Sequence, residues 1–159
     1  MPVRSAGILL YRRRTDAVLE VWIAHMGGPF WAGKDERAWS VPKGEYLEDE
    51  DPLVAALREF HEEMGTPAPV AEYTHLGDFR QPSGKVITVF AAEAAFDPGA
   101  IRSNTFPLEW PRGSGRVQDF PEIDDARWFA AQDARLKLVK GQVPILHALV
   151  AHLGALPGA

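Results

Sequence analysis

The chain has 159 residues, 46% hydrophobic and 25% charged, which suffices for one domain with its own core and leaves no room for a second. Its 17 Lys and Arg stand against 22 Asp and Glu, and a balance of −5 argues against gripping a nucleic-acid polymer by neutralising its phosphates. The absence of cysteine excludes disulfides, thiolate metal sites and cysteine nucleophiles, so any metal must be held by oxygen or imidazole.

Residues 3–11 and 18–25 are apolar, β-branched-rich runs separated by the polar stretch RRRTDA, the pattern of strand, turn, strand. The first run is too short for a signal-peptide core or a membrane span, which leads to the expectation of a cytoplasmic protein with no membrane partner. Residues 26–37, with Gly27, Gly28, Pro29 and Gly33, read as a long loop, and long loops in small domains are more often functional than idle. Between residues 39 and 44, Pro42 and Gly44 suggest one short strand before a tight turn.

Asp51-Pro52 is a helix start, with Asp as cap and Pro in the first position, and Gly65 followed by Thr66-Pro67 is a helix stop. Leu53, Leu57, Phe60 and Met64 recur between them at helical spacing and predict the core-facing stripe. Strand patterns follow at residues 70–79 and 85–96 around the turn Pro82-Ser83-Gly84, then at 105–110 and 126–129. Helical patterns close the chain at residues 132–140 and 143–153. Mixed strands with one early helix and two late ones suggest an α/β or α+β sandwich rather than a doubly wound sheet.

Glu59, Glu62 and Glu63 occupy positions i, i+3 and i+4 of the capped helix, so they share an arc about 100° wide, centred far round from the apolar stripe. Three neighbouring carboxylates repel one another, and a hard divalent cation offsets that repulsion. Mg²⁺ suits such a site because it binds through a few carboxylates and accepts substrate phosphates in its remaining positions. Taken alone, E-x-x-E-E reads first as a solvated acidic helix face, which is a common pattern.

The surrounding residues decide between these readings. In WSVPKGEYLEDEDPLVAALREFHEEMG, Gly44 is followed at fixed intervals by Glu50, Arg58-Glu59, Glu62-Glu63 and Gly65. This spacing resembles the Nudix box, G-x5-E-x7-R-E-U-x-E-E-x-G-U, over residues 44–66. Every fixed glycine, glutamate and arginine is present; Phe60 and Thr66 depart from the bulky aliphatic positions, which affects packing rather than chemistry.

The resemblance implies a single Nudix hydrolase domain over residues 1–159, folded as an α/β/α sandwich with a mixed sheet flanked by helices. It implies Mg²⁺ or Mn²⁺ held by Glu59, Glu62 and Glu63 with the backbone at Gly44, an orienting role for Arg58 and a bracing role for Glu50. The implied reaction is hydrolysis of a pyrophosphate linkage in a nucleoside diphosphate derivative, with dinucleoside polyphosphates ahead of simple triphosphates. A small nucleotide, not a nucleic-acid polymer, is the implied partner.

Outside the box, FPEIDDARWF is similar to a segment of dinucleoside polyphosphate hydrolases, which makes Glu122 the first candidate for a further catalytic acid, with Glu109 and Glu93 behind it. Lys43 and Lys85 are candidates for phosphate contact. Trp31, in the glycine-rich loop, is the preferred aromatic for stacking on a base, ahead of Trp39, Phe79 and Trp110. Two alternatives remain at this level: a housecleaning enzyme that removes oxidised or non-standard triphosphates, and a non-catalytic nucleotide-binding regulator of the same fold. The acids Glu48, Asp49, Glu50 and Asp51 at the helix N-terminus, together with Glu59, Glu62 and Glu63, account for the negative balance.

Overall fold

A computed structural model describes residues 3–155. The first two runs form strands β1 (Arg4–Arg13) and β2 (Leu19–Met26), and β1 continues past its apolar stretch into the arginines. A cross-strand ion pair supports that extension: Arg12 Nε donates to Glu20 Oε1 at 2.8 Å, and the Arg12 guanidinium lies 4.2 Å above the Trp128 ring.

The two strands pair only near their hairpin, at Tyr11↔Val21, Arg12↔Glu20 and Arg13↔Leu19, and then part. The gap is filled by two short strands, β3 (Trp39–Ser40) on β2 and β4 (Lys43–Glu45) on β1, the latter with Ala6 opposite Gly44. Residues 39–44 are therefore two strands rather than one, and Gly44 lies inside a strand rather than at a tight turn. Pro42 stands between them, where no N–H is needed, and its carbonyl accepts the Ile8 N–H at 3.1 Å.

After helix α1 (Pro52–Met64), strands β5 (Thr74–Arg80) and β6 (Val86–Glu93) form a hairpin, and β6 runs parallel to β1 along its whole length. Strands β7 (Thr105–Glu109) and β8 (Val117–Pro121) pair only with each other and make a separate two-stranded ribbon; residues 117–121 carry no apolar run that would announce a strand. Strand β9 (Ile123–Ala130) returns to the sheet along β2. Helix α2 (Ala131–Lys137) ends before the expected residue 140 because the next residues become extended and the Val139 N–H bonds the Trp39 carbonyl at 2.9 Å. A single 3₁₀ turn (Lys140–Gln142) leads into α3 (Val143–Ala155).

Alternation along the strands divides the core between the two faces of the sheet. Ala6, Ile8 and Leu10 of β1 pack with Trp22, Phe60 and Met64 on the α1 side. Leu9, Val21, Ile23 and Val89 pack with Leu138, Ile145 and Leu149 on the α2 and α3 side. The result is the expected α/β/α sandwich with a mixed sheet. Among the described residues no helix is long and apolar enough to cross a membrane.

Candidate active site

Helix α1 is placed by both of its ends. Asp51 caps it by accepting the Val54 N–H at 3.0 Å, an interaction typically worth about 1 kcal/mol, and Pro52 occupies the first position. At the other end Gly65 adopts φ 76°, and a Cβ there would lie 2.7 Å from the Arg102 carbonyl oxygen, so the chain after β6 is pressed against the helix terminus.

The buried face of α1 is made by Ala55, Ala56, Phe60 and Met64, with the expected Leu53 and Leu57 only partly buried at its margin. Glu63 is also buried, at 8% exposure, which corrects the expectation that the acidic arc stands clear of the core. The arc faces β4: the Glu63 Oε1 atom accepts the Lys43 N–H at 3.1 Å. A Cβ at Gly44 would fall on the Glu59 carboxylate, so only glycine fits that strand position beneath the helix.

Burial pushes the Glu63 carboxyl up to about 8; the Lys43 charge and N–H oppose the shift, while Glu122 and Glu59 add to it. Burial also raises Glu59, against the hydrogen bond from Arg58. Arg58 binds Glu50 through two nitrogens, at 3.1 and 3.0 Å, and its Nη1 lies 2.8 Å from Glu59 Oε1 and 3.5 Å from Glu62 Oε1. The arginine thus ties Glu50 of the preceding loop to two acids of the arc.

Of the three distal acids, Glu122 is the one brought to this place. It precedes β9, and its carboxyl is raised by partial burial and by the charge of Glu62, with Lys43 opposing. Glu62, Glu63, Glu122 and Lys43 therefore share one electrostatic neighbourhood. Glu109 instead accepts the Gly113 N–H at 2.8 Å at the ribbon tip, and Glu93 is exposed at the end of β6 opposite Tyr11.

The other candidates are dispersed. Lys85 pairs with Glu45 at 3.1 Å on the surface. Trp31 is partly buried against the α3-side core, whereas its neighbour Phe30 is 60% exposed, and Lys34 Nζ lies 4.1 Å from the Phe30 ring centre and 5.6 Å from that of Trp31. Trp39 and Phe79 belong to the core, and Trp110 stands at the ribbon tip. The loop of residues 26–37 is anchored at its base: His25 places one ring nitrogen 2.6 Å from Asp124 Oδ1 and the other 2.6 Å from the Lys34 carbonyl. A cavity of about 860 Å³ opens on the Glu50 and Arg58 side of the site, bordered also by Arg4, Tyr46 and Leu47.

The residues present fit a hard divalent cation. The donor set is made of carboxylate oxygens, and the chain has no cysteine sulfur to offer. The guanidinium of Arg58 already lies against Glu59 and Glu62, and the charge of Lys43 acts on Glu63 and Glu122. Among the described residues, however, no three acid or histidine side chains gather at metal-holding distance: Glu59 and Glu62 lie on Arg58 while Glu63 lies on the Lys43 N–H.

Residues outside any motif also enter the site's frame. The Asn104 N–H bonds the Glu62 carbonyl at 3.1 Å, and the Gly27 N–H bonds the Glu122 carbonyl at 2.8 Å. The Ser-Asn pair before β7 and the paired glycines after β2 are turn-type residues, which is the sole trace of these contacts in the sequence.

The model of the NUDIX domain family matches residues 1–149. No curated protein sequence matches the chain. Among solved structures, an Ap4A hydrolase binary complex from C. elegans is similar at 20% identity and TM-score 0.67, over 97% of this chain and 99% of that one. The NUDIX domain of Shewanella oneidensis NrtR complexed with ADP ribose is similar at 17% identity and TM-score 0.65, over 96% and 89%. The C-terminal domain of mouse MUTYH, in complex with human PCNA, is similar at 14% identity and TM-score 0.63, over 98% and 92%.

Proposed function

The chain belongs to the NUDIX domain family, whose hydrolases cleave acid anhydrides of phosphorus, and from that premise we propose that residues 1–159 form one divalent-metal-dependent pyrophosphohydrolase acting on a nucleoside diphosphate derivative or a dinucleoside polyphosphate. The observation that carries the proposal is the packing of the box helix over β4, with Glu59 against Gly44 and a buried Glu63 on the Lys43 N–H, while Glu122 shares their electrostatic neighbourhood from a distant part of the chain. An acidic helix face without chemistry needs neither a buried member nor a distal partner.

In this reading Glu59, Glu62 and Glu63 with the Gly44 carbonyl hold Mg²⁺ or Mn²⁺. When bound, the ion neutralises phosphate charge and lowers the pKa of water. Arg58 orients Glu59 and is itself oriented by Glu50. Lys43, whose charge acts on both Glu63 and Glu122, meets a substrate phosphate oxygen in this reading. Glu122, its carboxyl raised by partial burial and by the charge of Glu62, adds its charge to the ion's site and takes the proton of the attacking water on a carboxylate oxygen. Lys85, engaged by Glu45, is left out, and the exposed ring of Phe30 replaces Trp31 as the loop's stacking surface.

Hydrolysis of a nucleotide panel with Mg²⁺ tests this. We expect product release that disappears with chelator and collapses in Glu62→Gln and Glu63→Gln. Monophosphate plus pyrophosphate from triphosphates alone would shift the reading to housecleaning. A folded protein that binds nucleotide and hydrolyses nothing would establish the binding module instead.

A further inference from the structure

Unlike Glu59, Glu62 and Glu63, Glu122 is not carried by α1, and three backbone contacts hold it in place. The Glu62 carbonyl accepts the Asn104 N–H at 3.1 Å, the Asn104 carbonyl accepts the Glu122 N–H at 2.9 Å, and the Glu122 carbonyl accepts the Gly27 N–H at 2.8 Å. These bonds form a single line from the helix terminus through residue 104 to residue 122 and on to the glycine-rich loop. Residue 102 adds a parallel tie, its N–H bonding the Met64 carbonyl at 3.0 Å.

One side chain joins that line. The Ser103 Oγ accepts the Ile123 N–H at 3.1 Å, and its own proton faces the Asn104 carbonyl at 2.8 Å and the Ile123 carbonyl at 3.1 Å. Ile123 is buried, so its N–H has no ready exchange for water, and loss of the hydroxyl leaves that donor unpaired beside Glu122. β7 begins at residue 105 and β8 ends at residue 121, so the same few residues are also the root of the ribbon.

We infer that Ser103 is the positioning residue for Glu122, a strut that holds the distal acid against the box helix and thereby completes the metal and substrate site. This rests on the reading of Glu122 given above. Partners of this kind, one step removed from the ligands, typically cost about 10–100-fold in metal affinity or activity when removed.

The test is a cycle of wild type, Ser103→Ala, Glu122→Gln and the double variant, read by Mg²⁺-dependent hydrolysis and by Mn²⁺ affinity from water-proton relaxation. We expect Ser103→Ala to lower hydrolysis or Mn²⁺ affinity on the order of tenfold, Ser103→Thr to restore it, and Ser103→Ala to have no further effect once Glu122 is Gln. An equal loss in both backgrounds, or a Glu122→Gln variant that keeps both readouts, overturns the strut. Failure of wild type to hydrolyse any nucleotide would defeat the enzymatic reading alone, since the Mn²⁺ cycle still decides whether Ser103 acts through Glu122.

Discussion

Glu63 and Glu122 share one electrostatic neighbourhood, but helix α1 and the segment around residue 122 deliver them by different means. Glu63 is set by the pitch of a helix capped at both ends, and its spacing from Glu59 and Glu62 follows from helical geometry alone. Glu122 lies in an irregular stretch between β8 and β9 and is held by single hydrogen bonds to residues 104 and 27, far away in sequence. A site half built by local periodicity and half by long-range contacts has two failure modes: substitutions on the helix remove a donor atom, while substitutions in the supporting loops leave every donor present but misplaced.

With all the glutamates left in place, the helix half is broken most severely through Arg58, which touches three of the acids. Arg58→Ala should lower Mg²⁺-dependent hydrolysis by roughly 10–100-fold, with far less change in the thermal midpoint, since the guanidinium is substantially exposed. Steady-state kinetics beside a melting curve would show whether the two readouts separate.

The distal half is broken by backbone displacement. A Cβ at Gly27 would land on the Pro121 carbonyl oxygen, so Gly27→Ala must push residues 121–122 away from the site. Hydrolysis should fall on the order of tenfold with every glutamate intact, and stability should fall by about 1–3 kcal/mol as in other overpacked sites. Gly27→Ala with unchanged activity would mean that the position of Glu122 does not matter.

A third prediction sharpens the electrostatic contrast. The folded pKa of Glu63 is about 8 against its ordinary 4.5, so between those values the native protein keeps a proton that the unfolded chain has lost. Stability of the metal-free protein is therefore fully retained below about 4.5 and declines as pH rises to about 8. Melting in chelator should show the midpoint falling by several degrees across that range, in the sense that ~1 kcal/mol shifts a domain of this size by ~2–4 °C or slightly more. Saturating Mg²⁺ should flatten the profile, because a bound cation favours the ionised carboxylate; a profile rising with pH in chelator would contradict the burial of Glu63.

The smallest effect belongs to Lys85, whose pair with Glu45 is exposed on both sides. Lys85→Ala should change unfolding free energy by less than about 1 kcal/mol in denaturant titration. A larger loss would mark that surface pair as part of the site's support.

The helix that carries the candidate site is legible in the sequence. Asp51-Pro52 and Gly65 delimited α1 to the residue, and the intervals from Gly44 through Glu50 and Arg58 to Glu63 named the acids and their brace. FPEI pointed to Glu122 through resemblance, not through any local rule. The reading failed where neighbours decide. Glu63 was placed on a solvent-facing arc, because a helical wheel does not show that β4 lies over that arc. Gly44 was placed in a turn, because strand β4 exists only by pairing in the gap where β1 and β2 part. The sequence points to Trp31 and passes over its neighbour Phe30, because residue type does not tell which of two adjacent rings meets the core.

The sequence by itself determined the family, the capped helix and the order of acids along it, since these depend on spacings of a few residues within one element, where geometry is set by the backbone. Tertiary structure alone decided that Glu63 is buried against the Lys43 N–H, and that Ser103, Asn104 and Gly27 carry Glu122 to its place. Those outcomes depend on contacts between residues distant in the chain, formed only when the parted strands, the helix terminus and the ribbon root are packed together.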